Sequence, residues 1–453
     1  MKSHFNEVKK YCNDIKKGII PAGIYTKKSV NRFLDDIKRK DDESFLYSFI
    51  PEQADKIINF AETLFIPDIN KKLELLSWHK FIYYNLFGFY SKADITKRRF
   101  RQAYVEVARK NSKTTSLLFP IILYDFMYTP AAESFFVSKD NNQSAKTYIE
   151  LRNIFINTFK PDQSEIVVTD SRIRKESTNS FIQFFSSESR GTDSFKNSCS
   201  VIDEFWSYDD DKVVTAFRYG SRARKNTLVL IITSAGLDIS GPCYLENEKV
   251  RKILNGVLTD DTYFGIIYAY DEKDDWKDKN NLIKANPSLH DIIKPEILEN
   301  DLNDALISPS HQSDFKAKTC GIWSNAVSNW IPIEKWDTEK RNIIVDINEF
   351  NGQPCYAGLD LSSINDFTAY TRCFKKDGCF YLYHKFYIPS EQISEKYRVE
   401  NINIKEWVYK GIVTVIDGPT INYDFIMKDI IDDYCIFRSH RSGSPVKQIH
   451  QSG

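Results

Sequence analysis

The sequence predicts an α/β chain: a central, mainly parallel sheet flanked by helices, followed by a second, sheet-first α/β domain. Three observations carry this reading. From Leu75 onward, short apolar runs (AYVEVA, SFFVS, SFIQFF, SCSVIDEF, TLVLIITSAG) alternate with helical stretches (SLLFPIILYDFMY, KTYIELRNIFINTF), the alternation that builds parallel sheets. The run Thr227–Ile232 is apolar at nearly every position, as a strand covered on both faces must be. After WSNAVSNWIPIEKWD the pattern changes to closely spaced strands, CYAGLDLS, FTAYTRCF, CFYLYHKFY and GIVTVID, a sheet of its own.

Composition sets the frame for these elements. At 453 residues the chain exceeds what one core organises, and 42% hydrophobic with 27% charged residues is globular. Lys+Arg and Asp+Glu balance at 62 each, so contact with a polyanion must come from local patches. The eight cysteines form no C-x-x-C pair, which suits reduced structural thiols. With no apolar N-terminal stretch and no apolar run of 18 residues, a soluble intracellular protein without membrane contact is expected.

Along the chain, residues 1–60 read as a helical preface, with Val30, Phe33, Leu34 and Ile37 at helical spacing. Residues 61–330 form the main domain, in which acidic, turn-rich Asp271–Leu289 reads as a solvated surface loop. A linker over 331–345 leads to the second domain, 346–437, and the Ser/Gly-rich stretch 438–453 is expected to be disordered.

The chemistry concentrates where Tyr104–Val107 runs into the polar turn Ala108-Arg109-Lys110-Asn111-Ser112-Lys113-Thr114-Thr115 and then a helix. Strand, turn and helix start make a phosphate-binding layout. Residues Arg109 to Thr115 would surround a nucleotide, Lys113 would reach the β and γ oxygens, and the Thr114 hydroxyl would sit on Mg²⁺. Val107 and Ser112 occupy the two glycine positions of the usual pattern, so a solvated basic helix start is the competing interpretation. A second half-motif decides between them. The apolar strand Ser200–Ile202 ends in Asp203 and Glu204; Asp203 would hold the metal and Glu204 would polarise the attacking water. Thr233 and Ser234, ending the next strand, would sense the γ-phosphate.

Together these segments resemble the large terminase subunits of tailed bacteriophages, in the branch whose loop reads A-R-K-N-G-K-[ST], with Ser112 the one departure in Ala108–Thr114. Ser77-Trp78-His79-Lys80-Phe81 is similar to the family's W-Q-x-F segment, which implies nucleotide contacts for Trp78 and for His79 in place of the adenine-binding glutamine, with a place in the helix core as the competing reading of Trp78 and Phe81. Asp203-Glu204 resembles its Walker B pair, Thr233–Gly236 its coupling motif and Asn286-Pro287-Ser288-Leu289 its N-P-x-L segment.

The resemblance implies a P-loop NTPase domain followed by an RNase H-like nuclease domain that is incomplete here. It implies ATP and Mg²⁺ for the motor, and Mg²⁺ or Mn²⁺ for the nuclease. Double-stranded DNA, a portal protein, a small terminase subunit and a homo-oligomeric ring in the host cytoplasm are the implied partners and setting. In such a ring an arginine from the neighbouring subunit completes each site, and Arg218, Arg222 and Arg224 are candidates, Arg222 or Arg224 foremost. Nuclease metal ligands would be Asp360 and Asp417, with Asp366 reading better as a turn residue and Asn422 standing at a family aspartate. Because family chains continue past Tyr434, a truncation that impairs DNA cutting is expected. A catalytically inactive assembly protein and a helicase-like DNA ATPase are the alternative readings.

Overall fold

The computed structural model describes residues 2–162, 164–187, 196–324, 345–361, 367–391 and 404–439. Two compact units are present, Met1–Pro332 and Ile333–Gly453.

Two small ribbons, β1 (Tyr47–Phe49) with β4 (Phe89–Ser91) and β2 (Phe65–Ile66) with β3 (Lys71–Lys72), accompany the main sheet of the first unit. That sheet contains β5 (Gln102–Glu106), β6 (Glu133–Ser138), β7 (Ile166–Val168), β8 (Arg172–Lys175), β9 (Ser180–Ser186), β10 (Cys199–Asp203), β11 (Leu228–Thr233) and β12 (Tyr263–Ile267). Their order is β12-β5-β11-β10-β6-β9-β8-β7. Pairing is parallel from β12 through β9, and the β9–β8 and β8–β7 pairs are antiparallel, so that β8 alone is reversed. Every residue of β10, β11 and β12 is buried, which explains their unbroken apolar runs. Parallel neighbours need crossovers, and the helices Phe119–Tyr128, Lys212–Gly220 and Pro242–Leu254 supply them.

The helical preface expected over 1–60 is instead part of this unit. Helices α1 (Phe5–Lys16) and α2 (Ile24–Lys38) cover the β12 edge: Thr26 Oγ1 donates to Ile267 O (2.7 Å), Arg32 to Tyr263 O (2.9 Å), and the Tyr11 and Tyr268 hydroxyls lie 3.2 Å apart. Val8, Cys12, Val30 and Phe33 are fully buried, each larger side chain contributing about 1.5–3 kcal/mol. A covered edge is also protected from stray strand pairing.

The stretch Asp271–Leu289 departs from the solvated loop expected of it. Leu282, Ala285 and Leu289 are buried in a cluster with Ala108, Phe315 and Cys320. Its acidic first half stays outside, where Asp274 and Asp271 pair with Lys284 at 2.7 and 3.5 Å.

In the second unit β13 (Pro354–Asp360), β14 (Thr368–Lys376), β15 (Cys379–Pro389), β16 (Val413–Ile416) and β17 (Arg438–Ser439) form a sheet of order β16-β15-β14-β13-β17. The β14–β15 hairpin turns on Asp377 and Gly378, at φ 51° and 76°, the two positive φ values that match strand twist. Along β14 alternate residues are buried, so one face packs. Arg438 and Ser439 pair with Pro354 and Cys355, placing them in the sheet and not in the tail expected from 438 onward. Among the described residues no helix is long and apolar enough to cross a membrane.

Candidate active site

Parallel strands deliver their following loops at one end of the sheet. β5 and β10 are separated only by β11, so the turn after Glu106 and the carboxylates after Ile202 face each other across the end of β11. Lys113 Nζ lies 2.7 Å from Glu204 Oε1, and the Thr114 hydroxyl donates to Asp203 Oδ2 at 3.2 Å. Both half-motifs read in the sequence are therefore brought together.

The turn keeps its shape without the expected glycines. Lys110 and Ser112 sit in left-handed conformations, φ 67° and 62°, at a cost of about 1 kcal/mol each for such side chains. Neighbouring bonds hold them there. The Ser112 and Ser116 hydroxyls are 3.0 Å apart, and Ser116 N donates to Ser112 O at 2.8 Å. Asn111, buried, donates to Ala108 O and to Asn286 Oδ1 (both 3.1 Å), and it accepts from Ser288 N at 3.0 Å. Asn286 and Ser288 thus clamp the turn from behind, a role the sequence did not disclose. After the turn the helix starts at Thr114 with one wide turn, Thr114–Leu118, before Phe119–Tyr128. Its N-terminal amides and dipole point where phosphates would sit.

Glu204 is itself left-handed, φ 53°. Its amide donates to Ile232 O and Asp203 Oδ1, both at 3.0 Å. Burial, then the adjacent Glu204, pushes the Asp203 carboxyl above its ordinary range, with Lys113 and Thr114 offsetting part of this. Burial would raise Glu204 as well, but Lys113, the Trp206 indole and Arg109 outweigh it and hold Glu204 below the usual value. The two adjacent carboxyls are thus shifted in opposite directions, Asp203 upward and Glu204 downward.

An open cavity of about 1000 Å³ lies here, lined by Arg109, Lys110, Ser112, Lys113, Thr114, Thr115 and Glu204 among others. Lys139, Asp140 and Asp209 line it too. The hard oxygens of Thr114 and Asp203 suit Mg²⁺ beside a triphosphate.

The remaining site expectations divide. Thr233 Oγ1 accepts from Trp206 N (3.0 Å), and Ser234 Oγ donates to Glu204 Oε2 (3.4 Å), so both belong to the cluster. Trp78 and His79 do not line this cavity: they are buried behind the turn, Trp78 Nε1 donating to Ser288 Oγ at 3.0 Å. His79 Nδ1 accepts from Leu76 N at 3.1 Å, and burial pushes its pKa down to about 3, so the ring stays neutral.

Arg222 and Arg224 precede the start of β11, at the opposite end of the strand from Thr233. Arg224 is held by Ala131 O (2.7 Å) and Glu133 (3.3 Å), and Arg218 by Glu246 (2.7 Å). Arg222 is exposed, its guanidinium 4.5 Å over the Tyr219 ring. For Arg222 and Arg224 the length of β11, about 17 Å, lies between them and the Thr233 end of the strand.

In the second unit Asp360 ends β13 and Asp417 follows β16, both exposed. The sheet does not bring them together: β14 and β15 intervene, a lateral gap of about 14 Å at ordinary strand spacing, whereas paired metals lie about 4 Å apart. Strand β17 is the neighbour of β13 on the other side. Asn422 caps the helix Tyr423–Ile436 by accepting from Asp424 N at 2.9 Å, work that asparagine does as well as aspartate. Asp366 lies outside the described residues, and among those described no cluster of three metal-ligating side chains occurs.

Lysine, hydroxyl and acidic pair converge in the first unit as they do around the triphosphate and metal of a P-loop NTPase. Family models for the terminase large subunit match the chain twice, the ATPase domain over residues 77–252 and the endonuclease domain over residues 257–436. The chain belongs to the terminase large subunits. It is 32% identical over 241 residues to Protein YmfN of Escherichia coli K12, which covers 51% of the chain and 52% of YmfN. To the large terminase subunit of Enterobacteria phage HK97 it is 22% identical over 339 residues, 73% of the chain and 65% of that protein. The crystal structure of the HK97 large terminase shares the fold, with a TM-score of 0.51 at 18% identity, covering 86% of this chain and 79% of that one. The chain thus spans about half the length of YmfN. The endonuclease match begins at 257, inside the first compact unit, and includes β12, which pairs with β5 of the main sheet.

Proposed function

We propose that this chain hydrolyses ATP to drive double-stranded DNA into a phage procapsid, working in the host cytoplasm as a ring on a portal protein with a small terminase subunit. The observation that carries it is the approach of Lys113 and Thr114 to Glu204 and Asp203 at 2.7 and 3.2 Å. Lys113 would neutralise the β and γ oxygens, Mg²⁺ would be held by Thr114 and Asp203, and Glu204 would orient and deprotonate the attacking water. The metal, when bound, supplies charge neutralisation at the phosphates. Arg222 is the exposed guanidinium available to a neighbouring subunit's site. DNA would be gripped through its phosphates, so its stimulation of ATP hydrolysis should fall steeply with salt.

The second unit is proposed to be a nuclease module using Mg²⁺ or Mn²⁺ at Asp360, with weak cutting by this chain because Asp417 lies strands away. Robust Mg²⁺- or Mn²⁺-dependent plasmid cleavage would refute that weakness. For the motor, phosphate release is compared between the wild type, Lys113→Ala and Glu204→Gln. Loss of turnover in both supports the reading, and an unchanged rate in both removes it.

A further inference from the structure

Besides Lys113, one aromatic side chain from outside the phosphate turn, Trp206, reaches the Glu204 carboxylate. The Trp206 indole N–H donates to Glu204 Oε2, on the carboxylate whose other oxygen meets Lys113. Trp206 N is anchored to Thr233 Oγ1 at 3.0 Å, so the residue is tied to the end of β11 as well. One face of the indole carries the Arg109 guanidinium at 4.9 Å. Beside it lies Gly236, where a β-carbon would come within 3.1 Å of Trp206 Cβ and 3.1 Å of the Trp323 ring. Trp323 in turn donates to the buried Glu106 carboxylate at 3.2 Å, at the end of the strand that carries the phosphate turn. Trp206 is therefore bonded to the acid, tied by its amide to β11 and packed under Arg109, with Gly236 between it and Trp323.

We propose that Trp206 is a positioning residue for the hydrolytic reaction, holding the Glu204 carboxylate toward the cavity from a seat defined by Arg109, Gly236 and Trp323. This rests on the ATPase reading and deepens it. A carboxylate on an exposed rotor samples several orientations, and only one serves the attacking water. The indole N–H fixes that orientation without competing for the proton, because indole neither accepts nor ionises. Alanine at 236 would push the two indoles apart and move the acid without touching nucleotide.

The test uses the full chain with Mg·ATP. Trp206→Phe keeps the ring and its stacking but removes the N–H; kcat should fall about tenfold, with Mg·ATP affinity within twofold of wild type. Trp206→His, which restores an N–H, should recover part of kcat, and Gly236→Ala should lower kcat as Trp206→Phe does. Glu204→Gln separates the two levels of inference. If it abolishes turnover while Trp206→Phe and Gly236→Ala keep wild-type kcat, the positioning role is overturned and the site reading stands. If Glu204→Gln is itself active, the site reading fails and takes this inference with it.

Discussion

Replacing Glu204 by glutamine separates two things this residue does. In the structure its carboxylate holds Lys113 at 2.7 Å, with the lysine side chain 7% and the glutamate side chain 18% exposed. At that distance and an effective dielectric of about 20, the attraction is about 6 kcal/mol before desolvation is subtracted. Desolvating two largely buried ions takes back most of it. If about 1 kcal/mol survives, ATP must overcome it to recruit Lys113, and Glu204→Gln should tighten ATP binding about fivefold. The same change removes the group that deprotonates water, so kcat should fall about 10²- to 10³-fold. A fluorescent-nucleotide titration gives the first quantity and phosphate release the second. Tighter binding with lost turnover is the expected signature. Unchanged turnover, or affinity that falls along with it, refutes the roles given to both residues.

Other consequences follow from the same geometry. Asp203, raised to about 6 by burial and Glu204, binds more protons folded than unfolded between its ordinary value and that pH. It therefore lowers stability as pH rises through this window, and it must lose its proton before metal binds. Mg·ATP affinity should drop up to tenfold per unit below about pH 6; the component should be missing in Asp203→Asn, and a flat wild-type profile would contradict it. Asn111→Ala leaves Asn286 Oδ1 and Ser288 N without a partner behind the turn, which should cost about 2–3 kcal/mol in urea unfolding and weaken ATP binding. A loss below about 0.5 kcal/mol would mean the clamp is idle. Ser112→Gly relieves a left-handed serine but removes its bond to Ser116, so stability should stay within about 0.5 kcal/mol with ATP binding retained. Loss of binding would show the hydroxyl to be essential.

Much of this was legible in the chain, for physical reasons. β10 and β11 announce themselves because central parallel strands must be apolar on both faces, and the turn at Arg109–Thr115 because lysine and threonine follow a strand and open a helix. What stayed hidden depends on long-range packing. Residues 1–60 read as separate because their apolar stripe shows amphipathicity but not its partner, which turned out to be β12. The acidity of Asp271–Asp278 masked the buried Asn286 and Ser288 a few residues on. Trp206 drew no reading from the sequence, since nothing local says that its N–H meets Glu204. Asp360 and Asp417 each end or follow a strand, as metal ligands should, but strand order decides whether two such ends meet, and order is not a local property.

The central claim is that Lys113, Thr114, Asp203 and Glu204 surround a single metal–triphosphate. Electron paramagnetic resonance of Mn²⁺ titrated into the full chain, with and without a non-hydrolysable ATP analogue, tests it most directly. One additional tightly held Mn²⁺ per chain should appear only with the analogue, and it should vanish in Lys113→Ala and in Asp203→Asn. Nucleotide-dependent Mn²⁺ binding that survives both substitutions would contradict the account.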